Sequence, residues 1–444
     1  MGPTPNPSRR EGDLETEYDF KKMRHIILFI VCLMATISHA QDILLGGDIS
    51  MLTKYEEKGA KYYDINGNSI QPLSFFKQEG MNAMRVRLFV DPTSSVNTDT
   101  KGACQDLDYV IKLGKRIQET GYKLVLDFHY SDTWADPGKQ TLPKAWEGLT
   151  TSQLATKVYD YTTDCLKKMK AAGVTPDLIQ TGNEITYGML WPTGQVYPAG
   201  GNATGTMENF TSYLNNAIKA CREQCPNAYI ILHTELGNSH NSTVIFFKKM
   251  KELNIDFDVI GLSYYPDYHG KMATFDGTLT TLETNNPGKP IMIMETGYGY
   301  EYALPGANTS YKEFNLTQDG QAEFAKKLIS TLKQHNSVMG MFWWWPEANE
   351  YGINWQNAVT DSWWNASLFN NRTGRANKAL YELKNFLVDN PAGIENINGD
   401  NKIVRTERFY LNGIKTKGNA MGVTIEKITM ASNKVVIRKS FGRK

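Results

Sequence analysis

The chain has 444 residues, a formal net charge of +1 and a hydrophobic share of 41%. That length and apolar content support one large core with an appendage, since α/β barrels of roughly 250 residues or more form single domains. The near-zero charge removes any whole-chain electrostatic attraction to nucleic acid or anionic membrane, so partners are expected to be neutral or locally recognised.

Residues 1–22 are polar and contain prolines, and the segment from Met23 to Ala40 opens with Arg24 and His25, continues as a short apolar run, and ends with Ser38 and Ala40. This is the pattern of a secretory signal peptide, shorter than the roughly 20 apolar residues that span a bilayer. Residues 1–40 are thus read as an N-terminal extension and signal peptide, with Met23 as an alternative start. The mature protein is expected to be secreted, as a periplasmic, cell-surface or extracellular protein. Cys32 lies in the apolar run behind Phe29, Ile30 and Val31, without the small residue that a lipoprotein signal needs there, which disfavours lipidation. Cys104, Cys165, Cys221 and Cys225 remain, and four cysteines in an oxidising compartment allow three pairings that sequence cannot separate. Cys221 and Cys225, four apart on a predicted helix, equally suit free thiols. No Cys-x-x-Cys pair suggests structural zinc.

Beyond Ala40, short β-type runs alternate with longer helical ones. Predicted strands are Ile43–Ile49, Ala83–Leu88, Lys123–Phe128, Leu178–Thr181, Tyr229–Leu232, Val259–Leu262, Pro290–Met294 and Val338–Phe342. Predicted helices are Leu107–Thr120, Ser152–Ala172, Met207–Cys225, Ser242–Leu253, Thr317–His335 and a last one at Tyr381–Val388. Such alternation fits an open doubly wound sheet as well as a barrel. The polar residues decide between them, because nearly every apolar run ends in a polar or aromatic cluster, as the C-terminal strand ends of a barrel do. The fold expected is an α/β (β/α)8 TIM barrel over residues 41–390. Asp389-Asn-Pro-Ala-Gly393 marks its end, and residues 391–444 read as a small, basic, β-rich tail. That tail suits contact with a cell envelope or simple cover for part of the barrel.

The fourth and seventh runs end in Glu184, preceded by Asn183, and in Glu295. A lone glutamate after a strand is ordinarily a loop residue or an ion-pair partner. Two that each close an apolar strand are harder to explain so, because a buried carboxyl is costly unless paired or functional, and burial raises its pKa toward that of a proton donor. Glycosidic hydrolysis needs such a pair: a proton for the leaving oxygen and a carboxylate for the anomeric carbon, about 5–5.5 Å apart in retaining enzymes.

Gly46-Gly-Asp-Ile-Ser50, Arg85-Val-Arg-Leu-Phe-Val-Asp-Pro92, Asp127-Phe-His-Tyr-Ser-Asp-Thr-Trp-Ala-Asp-Pro137 and Thr181-Gly-Asn-Glu-Ile185 resemble clan A of the retaining glycoside hydrolases. Within that clan they are similar to family 53, the arabinogalactan endo-β-1,4-galactanases, over about residues 43–385. The resemblance implies cleavage of β-1,4-galactan, the pectic side chain, with retention. Glu184 would be general acid/base and Glu295 nucleophile, Asn183 would hold the sugar 2-hydroxyl, Tyr264 would orient Glu295, and Arg85 would keep it ionised.

His129 and His233 lack a metal-binding pattern and are expected to hydrogen bond near Glu184. Sugar faces stack on aromatic rings, and Trp343, Trp344 and Trp345 cannot all point inward on a strand of period two. Trp345 is the expected platform, with Trp134 beside the groove and Asp136 and Lys139 as polar contacts. Some family members carry an acidic calcium loop after the nucleophile. Here residues 296–308 hold one carboxylate, Glu301, against the six to eight oxygens, carboxylate and carbonyl, that calcium takes, so structural calcium is left open and not predicted. No metal or other cofactor is expected to be required, and no Gly-x-Gly-x-x-Gly opens a helix after the first strand to suggest a nucleotide. A monomer is expected, without a protein partner or nucleic acid. A β-mannanase or endoglucanase would use the same glutamates; a non-catalytic sugar-binding barrel would normally have lost one of them.

Overall fold

The computed structural model describes residues 43–197, 200–235, 242–307, 312–360 and 362–388, strands between 403 and 442, and the isolated Gly2 and Thr416. The expected leader and its cleavage site lie outside these residues. The chain divides into two compact units, the second starting at Val388.

In the first unit eight parallel strands close into a barrel in sequence order. They are β1 (Leu44–Asp48), β2 (Ala83–Leu88), β3 (Lys123–Phe128), β4 (Leu178–Thr181), β5 (Tyr229–Thr234), β6 (Val259–Tyr264), β7 (Ile291–Thr296) and β8 (Val338–Trp344). β1 pairs with both β2 and β8, which closes the ring. The (β/α)8 architecture expected from the alternation together with the polar strand ends is therefore present. Helices start where side chains can satisfy free N–H groups. Asp106 accepts from the Tyr109 N–H at the head of Leu107–Glu119, and Thr150 and Gln153 form a capping box at Thr151–Ala171. Thr206 and Thr317 cap Met207–Gln224 and Gln318–Leu332.

Met272–Asn285, absent from the sequence prediction, is also helical. It contains five threonines and a glycine, all poor helix formers. Packing of Phe275, Leu279 and Leu282 into the core overrides that preference. The last helix is a correction: it runs from Lys378 to Leu383, followed by a 3-10 turn to Phe386, rather than from Tyr381 to Val388. Of the cysteine pairings that sequence allowed, none forms; Cys104, Cys165, Cys221 and Cys225 are free thiols. Burial pushes Cys104 up to about 11 and Cys165 up to about 12, so both stay unreactive.

Strand parity places the site. Leu44, Ala83, Val125, Leu178, Ile231 and Val259 point into the barrel with Met292, Met294 and Phe342, and form an apolar plug separate from the strand-helix core. Two or four residues further along these strands the same parity turns polar groups inward above the plug. Asp48, Arg85, Asp127, Gln180, His233 and Ser263 arrive this way. On β7, alternation from Met292 and Met294 would send Glu295 outward. The register against β6 shifts there, so that Leu262 faces Ile293 but Ser263 faces Glu295. This bulge adds one residue to β7 and turns Glu295 inward.

The second unit contains a three-stranded antiparallel sheet in the order β11-β10-β9, made of Ile403–Tyr410 (β9), Gly422–Met430 (β10) and Val435–Gly442 (β11).

Candidate active site

A cleft of about 680 Å³ opens above the apolar plug, with Asn183, Glu184, Glu235, Tyr265 and Glu295 at its floor. Another cavity, of about 630 Å³, is lined by Leu44, Lys123, Asp177 and Met339 from strand starts. Residues at that end of a barrel serve stability, whereas chemistry collects at the C-terminal end.

Glu184 reaches the cleft through a tight turn. β4 ends at Thr181, Gly182 follows with φ +98°, and Glu184 itself is left-handed at φ 48°, ψ 54°. A non-glycine residue in that region costs about 1–3 kcal/mol and persists only where its surroundings enforce it. Gln140 contributes by donating to the carbonyls of Asn183 (2.9 Å) and Glu184 (3.4 Å).

One oxygen of Glu184, one of Glu295 and one nitrogen of His233 all lie within 4.8 Å of one another. Arg85 underlies this group, fully buried. Its two terminal nitrogens donate to Asp48 (3.1 Å), Glu295 (2.9 Å), Asp127 (2.8 Å) and Asn183 (2.8 Å). Burial, then repulsion from Glu295 and Glu235, holds Glu184 well above the usual carboxylate range. Burial also pushes Glu295 up to about 7, with the Arg85 charge pulling it back. Two carboxyls this close share their titration, and the charge of the singly ionised pair belongs on Glu295, which has the cation. Asp127 is kept low: burial opposes its ionisation, but Arg85 and His129 outweigh it.

Tyr264 requires a correction. Its hydroxyl donates to the Gly270 carbonyl and its ring stacks on Phe275 at 4.2 Å, on the helix side of β6. Tyr265, one residue on and on the inward parity of Ser263, donates to Glu295 Oε2 at 3.2 Å. His129 sits behind the cleft: its Nε2 lies 2.9 Å from Asp127, and its Nδ1 accepts from the Ala135 N–H. His233 bonds to Asn183 and Ser263, and Ser263 lies 2.8 Å from Glu184 Oε1.

Trp134, Trp344, Trp345 and Trp363 line the cleft, while Trp343 turns outward and donates to the Ala366 carbonyl. Trp344 and Trp345 stack at 5.4 Å. Arg87 is buried against Trp134, Trp344 and Trp345, its guanidinium carbon 4.6, 4.9 and 5.2 Å from the ring centroids, and it donates to Asp48 at 2.7 Å. A cation packed against indole faces attracts all three and stiffens them. Asp136 and Lys139 form a turn at the rim, each N–H bonded to the other's carbonyl.

Among the described residues, Glu184, His233 and Glu295 form a group that could hold a metal ion. Both nitrogens of His233 are engaged by Asn183 and Ser263, and Glu295 by Arg85 and Tyr265. That donor set suits a proton better than an ion. In the loop after β7, Glu301 is paired with Arg372.

The residues that sequence reasoning left out of the site are Tyr265, Ser263, Glu235, Arg87 and Gln140. For the first four the available signal was inward strand parity; Gln140 gave none, because its role depends on where two backbone carbonyls point.

The family model for glycosyl hydrolase family 53 matches residues 44–385. An endo-β-1,4-galactanase of Bacillus subtilis is 30% identical over 314 residues, covering 69% of this chain and 70% of that protein. Arabinogalactan endo-β-1,4-galactanase A of Aspergillus niger is 30% identical over 314 residues, covering 68% of this chain and 84% of that protein. Among solved structures, the family 53 catalytic domain of Ignisphaera aggregans superposes with a TM-score of 0.69 at 30% identity, covering 77% of this chain and 96% of that one.

Proposed function

This chain belongs to glycosyl hydrolase family 53, and from that premise we propose that it is a secreted endo-β-1,4-galactanase that cuts the galactan of type I arabinogalactan with net retention. The observation that carries this is the Glu184–Glu295 pair, with oxygens within 4.8 Å and Arg85 beside Glu295. Such closeness suits a direct double displacement and leaves no room for the water that an inverting pair would activate between its carboxyls.

In the first step Glu184 gives its proton to the glycosidic oxygen while Glu295 attacks the anomeric carbon, the bond to the leaving sugar breaks, and a glycosyl ester forms on Glu295. In the second, Glu184, now ionised, takes a proton from water as the water oxygen displaces Glu295, which restores both carboxyls. Tyr265 steadies the nucleophile. Asn183 spends one amide proton on the Ala135 carbonyl and keeps the other for a sugar hydroxyl. Trp344 and Trp345 offer faces to the rings of the polymer, and Asp136 and Lys139 offer polar contacts at the rim.

Galactan as substrate is supported by the names of the two curated relatives. Release of reducing ends is expected from linear β-1,4-galactan and not from β-mannan or cellulose. Turnover of either of the latter at a comparable rate would keep the machinery and reject the substrate. We also propose that the enzyme works without a metal, because the one carboxylate of residues 296–308, Glu301, is occupied by Arg372. Dialysis against EDTA is then expected to leave galactan turnover and thermal midpoint unchanged, and a loss restored by calcium would reject it. Export is supported by the composition of residues 23–40. N-terminal sequencing of protein recovered outside the cytoplasm is expected to begin at Gln41, and an intact leader would refute cleavage.

A further inference from the structure

The hydrogen bonds around Glu184 have a direction that the atoms themselves dictate. Arg85 can only donate, so the Asn183 atom 2.8 Å from it is the amide oxygen, and the Ala135 carbonyl can only accept, so the atom 2.8 Å from it is the amide nitrogen. The orientation of Asn183 is thereby fixed. His233 Nδ1 lies 3.1 Å from that same oxygen and must carry a proton to bond it. His233 is fully buried, and burial together with the Arg85 charge keeps it neutral, well below its ordinary titration range. A neutral imidazole has one N–H, so Nε2 is bare and must accept. Its partner at 2.9 Å is the Ser263 hydroxyl, which donates its only proton there. The Ser263 oxygen, 2.8 Å from Glu184 Oε1, is left able only to accept.

We propose that Ser263 and His233 are positioning residues that hold the proton of the general acid: Asn183 sets the His233 tautomer, His233 aims the Ser263 hydroxyl away from Glu184, and the Ser263 oxygen accepts the Glu184 O–H. It presupposes Glu184 as the acid/base. Ionised Glu184 would need Ser263 to turn its proton back, which leaves His233 Nε2 facing an oxygen with no hydrogen between them. The chain therefore favours the acid in the resting enzyme, and favours proton recovery from water in the second step. Glu295, Glu235, Asp136 and Tyr265 also face Glu184, while Arg85, Asp127 and His129 face His233. The carboxylates work in the same direction as the chain; only the chain is selectively removed at Ser263.

Two measurements test this. In protein labelled with ¹⁵N-histidine, the His233 signals, assigned by their loss in His233→Gln, are expected to show a protonated Nδ1 and a bare Nε2 across the active pH range. In kinetics, the alkaline limb of kcat/KM reports the pKa of the free enzyme's acid, and activity is lost as pH rises through it. Ser263→Ala is expected to move that limb down by roughly one pH unit, the worth of one hydrogen bond, and Ser263→Thr to leave it in place. An Nε2-protonated His233, or an alkaline limb in Ser263→Ala that stays or rises, would overturn the proposal. Wild-type turnover by Glu184→Gln would instead reject Glu184 as the acid; loss of turnover there with the other tautomer at His233 would reject only the chain.

Discussion

Glycine in place of Glu295 is expected to lower galactan turnover on the order of 10⁵-fold, the scale seen when a covalent catalyst is deleted, and azide is expected to restore part of it with activated galactosides. The substitution removes the carboxylate that attacks the anomeric carbon and opens a space beside Arg85, whose charge still attracts an anion. Azide entering there attacks from the nucleophile's face, so the product is the α-galactosyl azide. Glycine at Glu184 leaves the nucleophile intact. Substrates with good leaving groups should still form the ester, and azide then attacks from the acid's face to give the β-galactosyl azide. Nuclear magnetic resonance of the anomeric proton distinguishes the two. Swapped anomers would exchange the assigned roles, the same anomer from both variants would remove them, and turnover near wild type in either would exclude that residue from the pair.

Arg85→Met is expected to lower unfolding free energy by about 3–5 kcal/mol, the range for breaking a buried ion pair, and to lower kcat/KM by at least about 10²-fold, the effect of losing an aligned electrostatic contact. Methionine fills much of the space but leaves Asp48, Asp127 and Glu295 without their shared cation in a site closed to water. Because Arg85 pulls the Glu295 pKa down, its loss raises that pKa. Glu295 must be ionised to attack, so activity is lost as pH falls through a higher value and the acidic limb of kcat/KM shifts to higher pH. Arg85→Lys is expected to recover little, since an ammonium cannot reproduce two nitrogens that serve four acceptors in one plane. Denaturant titration and a pH–rate profile check both effects, and an unmoved acidic limb would show that Arg85 does not act on the nucleophile.

The barrel was legible because eight apolar runs are short, and because each is followed by a segment with helical periodicity. The acid pair was legible for a related reason: Glu184 and Glu295 each close a run too apolar to carry a charge by chance. What sequence reading missed depended on direction. Tyr264 and Tyr265 are the same residue type side by side, and only counting inward positions from Val259 selects Tyr265. Ser263 carries no chemical signal until His233 and Glu184 are seen to flank it. Met272–Asn285 was lost because threonine-rich composition hides a helix that tertiary packing stabilises. The last helix was displaced because Phe386 and Leu387 extend the apolar pattern past the point where the backbone tightens.

The extra residue in β7 lets one strand supply two consecutive inward side chains, Met294 to the plug and Glu295 to the cleft. Deleting Met294 would let β7 run regularly beside β6 and leave Glu295 two positions beyond Met292, still facing inward, so the deletion exchanges one plug side chain for a regular strand and keeps the acid pair. In the other direction, the acid pair transplanted onto a barrel of regular strands needs its nucleophile an even number of positions beyond an inward plug residue.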